Sequence, residues 1–365
     1  MKITKPESLI EFNKFIDNLK HEDNIALLHD SDADGISAAA IVSKAISKEK
    51  KDIKLFLLQD HSANRKITDN FVKKLEDHNI TKLICVDINL EDFIDVNKIK
   101  IPTLVIDHHQ SNNSNKLKKF TIYKPHDVQE ELEDSEVCAA NLAYQLFNSR
   151  IDLSDIDWIV SIGIIGDYTF KQEKDFLENV FKKYNFKTSE NIYDSTIGIA
   201  VQYITFANCM QSDLAIEKAL KAILESTKIE ETIEKLKEFK IVDEEIKKTV
   251  DDFKKNKQEL FEDLFIYFYE SPYKINSPVS SIISGWDINK TIITLQKKED
   301  VYKISARRQD KTINMSKLLN EATNNLENAN GGGHIPAAGG QIQTKDLDTF
   351  INKLKIIYLK LKEEN

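Results

Sequence analysis

Four short apolar runs in the first third of the chain, separated by stretches with helical spacing, restrict the fold more than any other feature. They occupy residues 25–28, 53–58, 81–86 and 102–106, and apolar residues recur at helical intervals over 36–46 and 67–78. Strand and helix alternating at this spacing imply βαβ units and a parallel sheet with helices on both faces. Side chains just past the carboxyl ends of such strands converge on one crevice. Three of the four runs end on chemistry. The first leads into His29-Asp30-Ser31-Asp32-Ala33-Asp34-Gly35, the third into Asp87, and the fourth into Asp107-His108-His109.

Acids crowded where a buried strand hands over to a helix repel one another unless a cation neutralises them. A calcium loop of the D-x-D-x-D-G kind requires a bidentate Glu at its twelfth position, counted from Asp30. That position is Ile41, and a strand rather than a helix precedes the loop. A catalytic metal site is the better reading. Carboxylates with imidazole suit manganese, magnesium or zinc, and several acids around one point call for two ions. Two ions can lower the pKa of a water and clamp the oxygens of an in-line phosphoryl displacement. No G-x-S-x-G, Walker lysine loop, G-x-G-x-x-G or H-E-x-x-H competes.

At 365 residues the chain has room for two domains, and its 41% hydrophobic and 30% charged residues are those of an ordinary globular protein. A net charge of -9 argues against coating nucleic acid by bulk electrostatics, though not against a local basic groove. Cys85, Cys138 and Cys209 are odd in number and widely spaced, which speaks against a disulfide framework or a zinc ribbon. No apolar run approaches a membrane span and no signal-peptide core is present, so the expected location is cytoplasmic, with no membrane partner.

A short amphipathic helix is expected within residues 1–23, and further helices over 135–148 and 154–165. The last runs into Gly166-Asp167, an acid that is either a capping or solvated residue or one aimed at the crevice. Residues 171–260 read as a lysine- and glutamate-rich helical connector, with one or two long helices over 229–261. From 261 to 365 a smaller α/β domain follows. It has a strand at 264–269, a hairpin of 291–296 with 301–306, and helices over 315–326 and 347–361. Five of the ten glycines fall within 331–340. Gly331-Gly332-Gly333-His334 is either a flexible turn or a backbone that approaches an anion closely. Arg307 or Arg308 faces the same anion in the second case, and its neighbour points to solvent because strand residues alternate.

Asp30-Ser31-Asp32-Ala33-Asp34-Gly35, Val86-Asp87, Asp107-His108-His109 and Gly166-Asp167 together resemble the four ordered motifs of the DHH phosphoesterase superfamily. Gly331-Gly332-Gly333-His334 resembles the signature of its C-terminal DHH-associated domain. The likeness is greatest to RecJ-like single-strand nucleases of the shorter archaeal type. It implies a DHH catalytic domain at 1–170, the connector at 171–260 and a substrate-binding domain at 261–365. It also implies a manganese-dependent hydrolase, with magnesium or cobalt as substitutes, releasing 5′-mononucleotides from single-stranded DNA, RNA or short oligonucleotides. The implied metal ligands are Asp30, Asp32, Asp87, His108 and Asp167, with Asp87 bridging two ions. His109 would sit beside the reacting phosphate, and Asp107 would orient the two catalytic histidines. Gly332, Gly333, His334 and Arg307 would hold a substrate phosphate.

His29, Asp34 and Arg308 have less settled roles. One version of the first motif carries a histidine four residues before the first acid; here that place is Ala26, and His29 is adjacent instead. Asp34 is read as a cap on the free N–H groups of its own helix. The alternatives to a strand nuclease are a phosphodiesterase for cyclic dinucleotides or nanoRNA, and a non-catalytic scaffold. A replication or repair protein is an implied partner.

Overall fold

In the computed structural model, which describes residues 2–51, 53–59, 65–111 and 119–364, the chain divides into two compact units. One comprises Met1–Asn208 with Ser212–Glu238, the other Cys209–Gln211 with Phe239–Asn365. Residues 171–260, read from the sequence as a connector, are shared between them.

In the first unit the apolar runs become strands. After α1 (Leu9–Asp17) come β1 (Asn24–His29), α2 (Ala33–Glu49), β2 (Lys54–Gln59), α3 (Asp69–Asp77), β3 (Lys82–Val86), β4 (Thr103–Ile106) and β5 (Phe120–Tyr123). All five strands are parallel, in the order β2-β1-β3-β4-β5. The fifth was not legible: it is four residues long and follows a lysine-rich stretch. Alternating side chains feed two cores. Ala26, Leu28, Leu83, Cys85 and Val105 pack with Leu75 of α3 and with Phe93. The intervening Ile25, Leu27, Ile84 and Leu104 are fully buried on the opposite face. From β1 the chain goes to one neighbour, β2, and then crosses to the other, β3. The gap between β1 and β3 is therefore a topological switch point, the usual ligand position in such sheets.

The unit continues through α4 (Pro125–Val128), α5 (Ala139–Asn148), α6 (Asp157–Gly166), α7 (Lys174–Tyr184), α8 (Thr196–Cys209), α9 (Asp213–Leu224) and α10 (Ile229–Leu236). The helix expected over 135–148 is broken before α5, where Val137 and Cys138 are extended. Helix α2 packs on α5 and α6 at a distance only small residues permit. A Cβ on Gly163 would lie 2.5 Å from Ala140 Cβ and 2.6 Å from Asp34 Oδ1, and one on Gly166 would lie 2.6 Å from Ala33 Cβ. That approach carries Asp167, at the end of α6, up to the first turn of α2.

The second unit holds α11 (Ile241–Asn256), β6 (Gln258–Phe261), β7 (Leu264–Glu270), α12 (Asn276–Ser284), β8 (Thr291–Lys298), β9 (Val301–Arg307), α13 (Met315–Thr323), β10 (Asn330–Gly333), β11 (Ala337–Gln343) and α14 (Leu347–Glu363). Its six strands run β10-β11-β9-β8-β7-β6, antiparallel except for β7 beside β8. The expected β8–β9 hairpin is present. The helical run expected over 229–261 is interrupted by a 3₁₀ turn at Lys237–Lys240, and its last residues form β6. One sheet face packs on α13 and α14 through Leu318, Leu319, Phe350, Leu354 and Tyr358. Helix α12 packs against β8 and β9. Among the described residues no helix is long and apolar enough to cross a membrane.

Candidate metal centre

Asp30, Asp87 and Asp107-His108-His109 follow β1, β3 and β4 directly, so the parallel sheet delivers them to one edge. Asp87 keeps the ladder, its N–H donating to Ile106 O at 3.0 Å, but turns left-handed with φ 58. A non-glycine residue persists in that region only when its surroundings hold it there. Its carboxylate is 2% exposed, and Oδ1 has no hydrogen-bond partner. That oxygen lies 3.4 Å from His108 Nε2 and 3.8 Å from His109 Nδ1. The other ring nitrogen of His108, also unbonded, lies 3.6 Å from Asp167 Oδ2. Among the described residues, ligand atoms gather within 4.8 Å of one another in three groups: Asp30 with Asp32 and Asp87, Asp87 with His108 and His109, and Asp34 with His108 and Asp167. Asp87 and His108 each belong to two groups; the carboxylate has an oxygen for each of two neighbouring cations, whereas the neutral ring has one lone pair and serves one.

Buried polar atoms without partners are costly, and the charges around these are of one sign. Burial, then the charges of Asp34 and Asp32, push the Asp87 carboxyl well up. Asp32 is still reached by solvent at the mouth, yet loss of hydration followed by the charges of Asp30 and Asp34 raises it to about 7. Burial, then the charges of Asp34 and Asp32, raise Asp167 to about 9. Burial holds His108 below the ordinary imidazole value, favouring the neutral ring that ligates metals. A divalent cation would remove the mutual repulsion and fill the empty coordination directions at Asp87 Oδ1 and His108 Nδ1. The donor set of carboxylate and imidazole fits such an ion.

The description "DHH family, N-terminal domain" matches residues 24–164, and the DHHA1 domain matches 274–358. The chain belongs to the DHH family. Solved structures share the fold at low identity. RecJ from Thermus thermophilus, in complex with manganese, superposes with a TM-score of 0.72 at 14% identity, over 98% of this chain and 55% of the Thermus chain. An exonuclease RecJ bound to manganese gives 0.66 at 15%, over 96% and 94%. CDC45 from Entamoeba histolytica gives 0.57 at 11%, over 96% and 98%. The chain thus spans little more than half of the Thermus enzyme. Comparison with curated proteins finds no match.

Within the DHH fold, one expectation for the first motif is reversed. The cap of α2 is Asp32, whose Oδ1 accepts from Gly35 N at 2.9 Å. Asp34 does not cap its own helix. Facing inward, it accepts from Ala139 N at 2.7 Å and Ala140 N at 2.9 Å and so caps α5. An aspartate two residues after a cap already lies in the first turn, where its side chain reaches a neighbouring helix more readily than its own end. His29 is buried with Nδ1 2.7 Å from Asp30 O, and it joins none of the three ligand groups.

The arginine pair also departs from expectation, because neither member points to solvent. Arg307 is half-buried against α12, its guanidinium 2.9 Å from Ser277 Oγ and 3.3 Å from Ser280 Oγ. Arg308 is buried, 3.1 Å from Asp263 and 2.9 Å from Asp310, with Thr291 and Tyr358 at 3.2 and 3.0 Å. Alternation does separate the two, but helices cover both faces. Arg308 is thereby committed to the fold. The glycine stretch is a strand, not a turn: Gly332 opposes Gly339, which opposes Ser305, two residues before Arg307 on the same face. A Cβ on Gly332 would meet nothing within 4 Å. His334 is exposed at the hairpin that follows.

Sequence reasoning missed Lys124 and Glu91. Asp107 is fully buried, with Oδ1 2.8 Å from His109 Nδ1 and Oδ2 accepting from Lys124 Nζ. Lys124 lies 2.9 Å from Glu91 Oε1. The available signal was position: Lys124 follows a short apolar run and precedes Pro125, as Asp87 and Asp107 follow theirs. The abundance of lysine elsewhere hid it.

Proposed function

We propose that the chain is a manganese-dependent, RecJ-like exonuclease that degrades single-stranded DNA or RNA to 5′-mononucleotides. The observation that carries this reading is the acidic crevice at the ends of β1, β3 and β4. Two of the three ligand groups among the described residues share Asp87, the third joins them through His108, and buried atoms of both residues lack hydrogen-bond partners. Asp30, Asp32, Asp87, His108 and Asp167 would hold two ions. Two divalent ions there would supply an activated water and positive charge for in-line displacement at phosphorus. His109 bonds Asp107 through Nδ1, which raises its pKa and leaves Nε2 toward the reacting phosphate, where the protonated ring would be hydrogen-bond donor or acid. Gly332, Gly333, His334 and Arg307 would receive a substrate phosphate, since the bare backbone at Gly332 leaves room on the sheet face that Arg307 shares.

The test is product analysis with manganese on end-labelled DNA and RNA of about 5 to 20 nucleotides, lengths that span the sites of single-strand binders. Release of 5′-mononucleotides, abolished by chelation, is expected. No release with manganese, magnesium or cobalt on any strand would overturn the reading. Turnover of cyclic di-AMP with indifference to strands would move it to a cyclic-dinucleotide phosphodiesterase. The likeness to CDC45 supports a second reading, a replication or repair scaffold, which predicts partner binding unaffected by Asp87→Ala.

A further inference from the structure

A buried ammonium stands behind the histidines. Lys124 is 4% exposed and occupies the position between β5 and α4. Its Nζ donates to Asp107 Oδ2 and, at 2.8 Å, to the backbone oxygen of His109, and it lies 2.9 Å from Glu91 Oε1. Asn89 Oδ1 is 3.5 Å away. An ammonium has three N–H groups, and here they serve the segment after β3 and the segment after β4. Lysine is almost never buried to this degree unless paired. Burial favours the neutral amine, but Asp107 and Glu91 outweigh it and keep Lys124 charged.

We propose that Lys124 is a positioning residue for the hydrolytic reaction: by occupying Asp107 Oδ2 and the His109 carbonyl, it turns Asp107 Oδ1 onto His109 Nδ1 and fixes which ring nitrogen meets the substrate. This rests on the reading of His109 as the group beside the phosphate. The carboxylate has one oxygen for each partner. Oδ1 takes the ring N–H of His109 at 2.8 Å, whereas without Lys124 Oδ2 keeps only the His109 backbone N–H at 3.3 Å. Asp107 would then be free to rotate and release the ring. Glu91 balances the remaining charge, so Lys124 can hold Asp107 without becoming a competing cation in the crevice. A merely stabilising ion pair behaves differently, because apolar residues of similar volume often replace buried pairs at no loss.

The experiment compares the full-length chain with Lys124→Met/Glu91→Leu, which removes both charges, and with Lys124→Gln/Glu91→Gln, which keeps amide hydrogen bonds. Histidine ¹⁵N NMR of the metal-free protein reads the tautomer of His109. In the neutral ring the Nδ1–H form is expected in the parent and a mixture of tautomers in the variants. On a single-stranded oligonucleotide with manganese, kcat should fall about 10- to 100-fold, the usual loss when a partner of a metal-site residue is removed. KM and the number of manganese ions bound should not change. Parent-like ring signals and kcat in a folded variant would overturn the assignment. Failure of both variants to fold would also overturn it, by placing Lys124 among residues that hold the fold. Should the parent hydrolyse no strand, the nuclease reading falls, while the ring signals still decide the part of Lys124.

Discussion

Adjacent polar residues close a strand in each unit, and their fates differ. Past β4, Asp107, His108 and His109 divide the work of one site: His108 faces Asp87 and Asp167, His109 opens toward the mouth, and Asp107 ties His109 to Lys124. At the end of β9, Arg307 and Arg308 divide between a candidate site and the core. The cause is where the residues sit. Asp107, His108 and His109 lie past the end of β4, at the edge where the parallel strands end, and stay in one cluster. Arg307 is the last residue of β9 and still follows strand alternation, so Arg308 goes to the opposite face, where its partners include Thr291 and Tyr358. The first candidate site gathers side chains whose like charges a cation would neutralise. The second, proposed site depends on missing side chains.

The largest effect should come from the residue shared by two ligand groups. Asp87→Ala is expected to abolish manganese-dependent hydrolysis, by more than the roughly 100-fold typical of a residue one step removed from a metal. Thermal unfolding should show the fold intact, because the substitution removes a buried, like-charged carboxylate. Measurable turnover near the parent rate would break the contrast between the two units.

The arginine pair sharpens it next. Arg308→Ala leaves Asp263 and Asp310 without their shared partner and should cost about 3–5 kcal/mol in denaturant unfolding, the range for breaking a buried pair. Arg307→Ala should leave stability nearly unchanged and raise KM for strands. Reversal of these two outcomes would exchange their roles.

Much of this was legible before any coordinates. Apolar runs at βαβ spacing placed Asp30, Asp87 and Asp107 at strand ends, and strand ends of a parallel sheet meet. Asp34 was misplaced because spacing locates a residue on its helix but does not say which neighbouring helix lies within reach. Arg308 was unreadable because solvent on one face of a strand depends on helices elsewhere in the chain. Lys124 escaped because β5 is too short to announce itself by periodicity. The three glycines looked equivalent, whereas each has its own reason: a Cβ on Gly331 would lie 2.5 Å from Leu319 O, Gly333 has φ +148, and Gly332 faces open space.

Two smaller effects follow. Asp34→Asn should lose about 1.5–3 kcal/mol of stability through the charged cap on α5, while sparing manganese binding far more than Asp32→Asn. Equal loss of binding from both would make Asp34 a ligand. Gly331→Ala should be destabilised by about 1–3 kcal/mol through overpacking, whereas Gly332→Ala should fold normally and bind strands more weakly. Equal stability of the two would contradict the strand register.

Manganese titration of the metal-free protein by calorimetry, repeated across pH, reaches the centre of the matter. Burial and like-charged neighbours push Asp32 up to about 7 and Asp167 up to about 9, so an ion binding there is expected to displace protons. Because the folded chain binds protons that the unfolded chain has already lost, stability without metal should fall as pH rises from near 4 through these values. Metal affinity should rise over the same interval, with protons released on binding. Two ions per chain, weakened as pH falls below about 7 and lost in Asp87→Ala, are the expected result. No binding, or binding indifferent to both pH and Asp87→Ala, would contradict a metal centre at the ends of β1, β3 and β4.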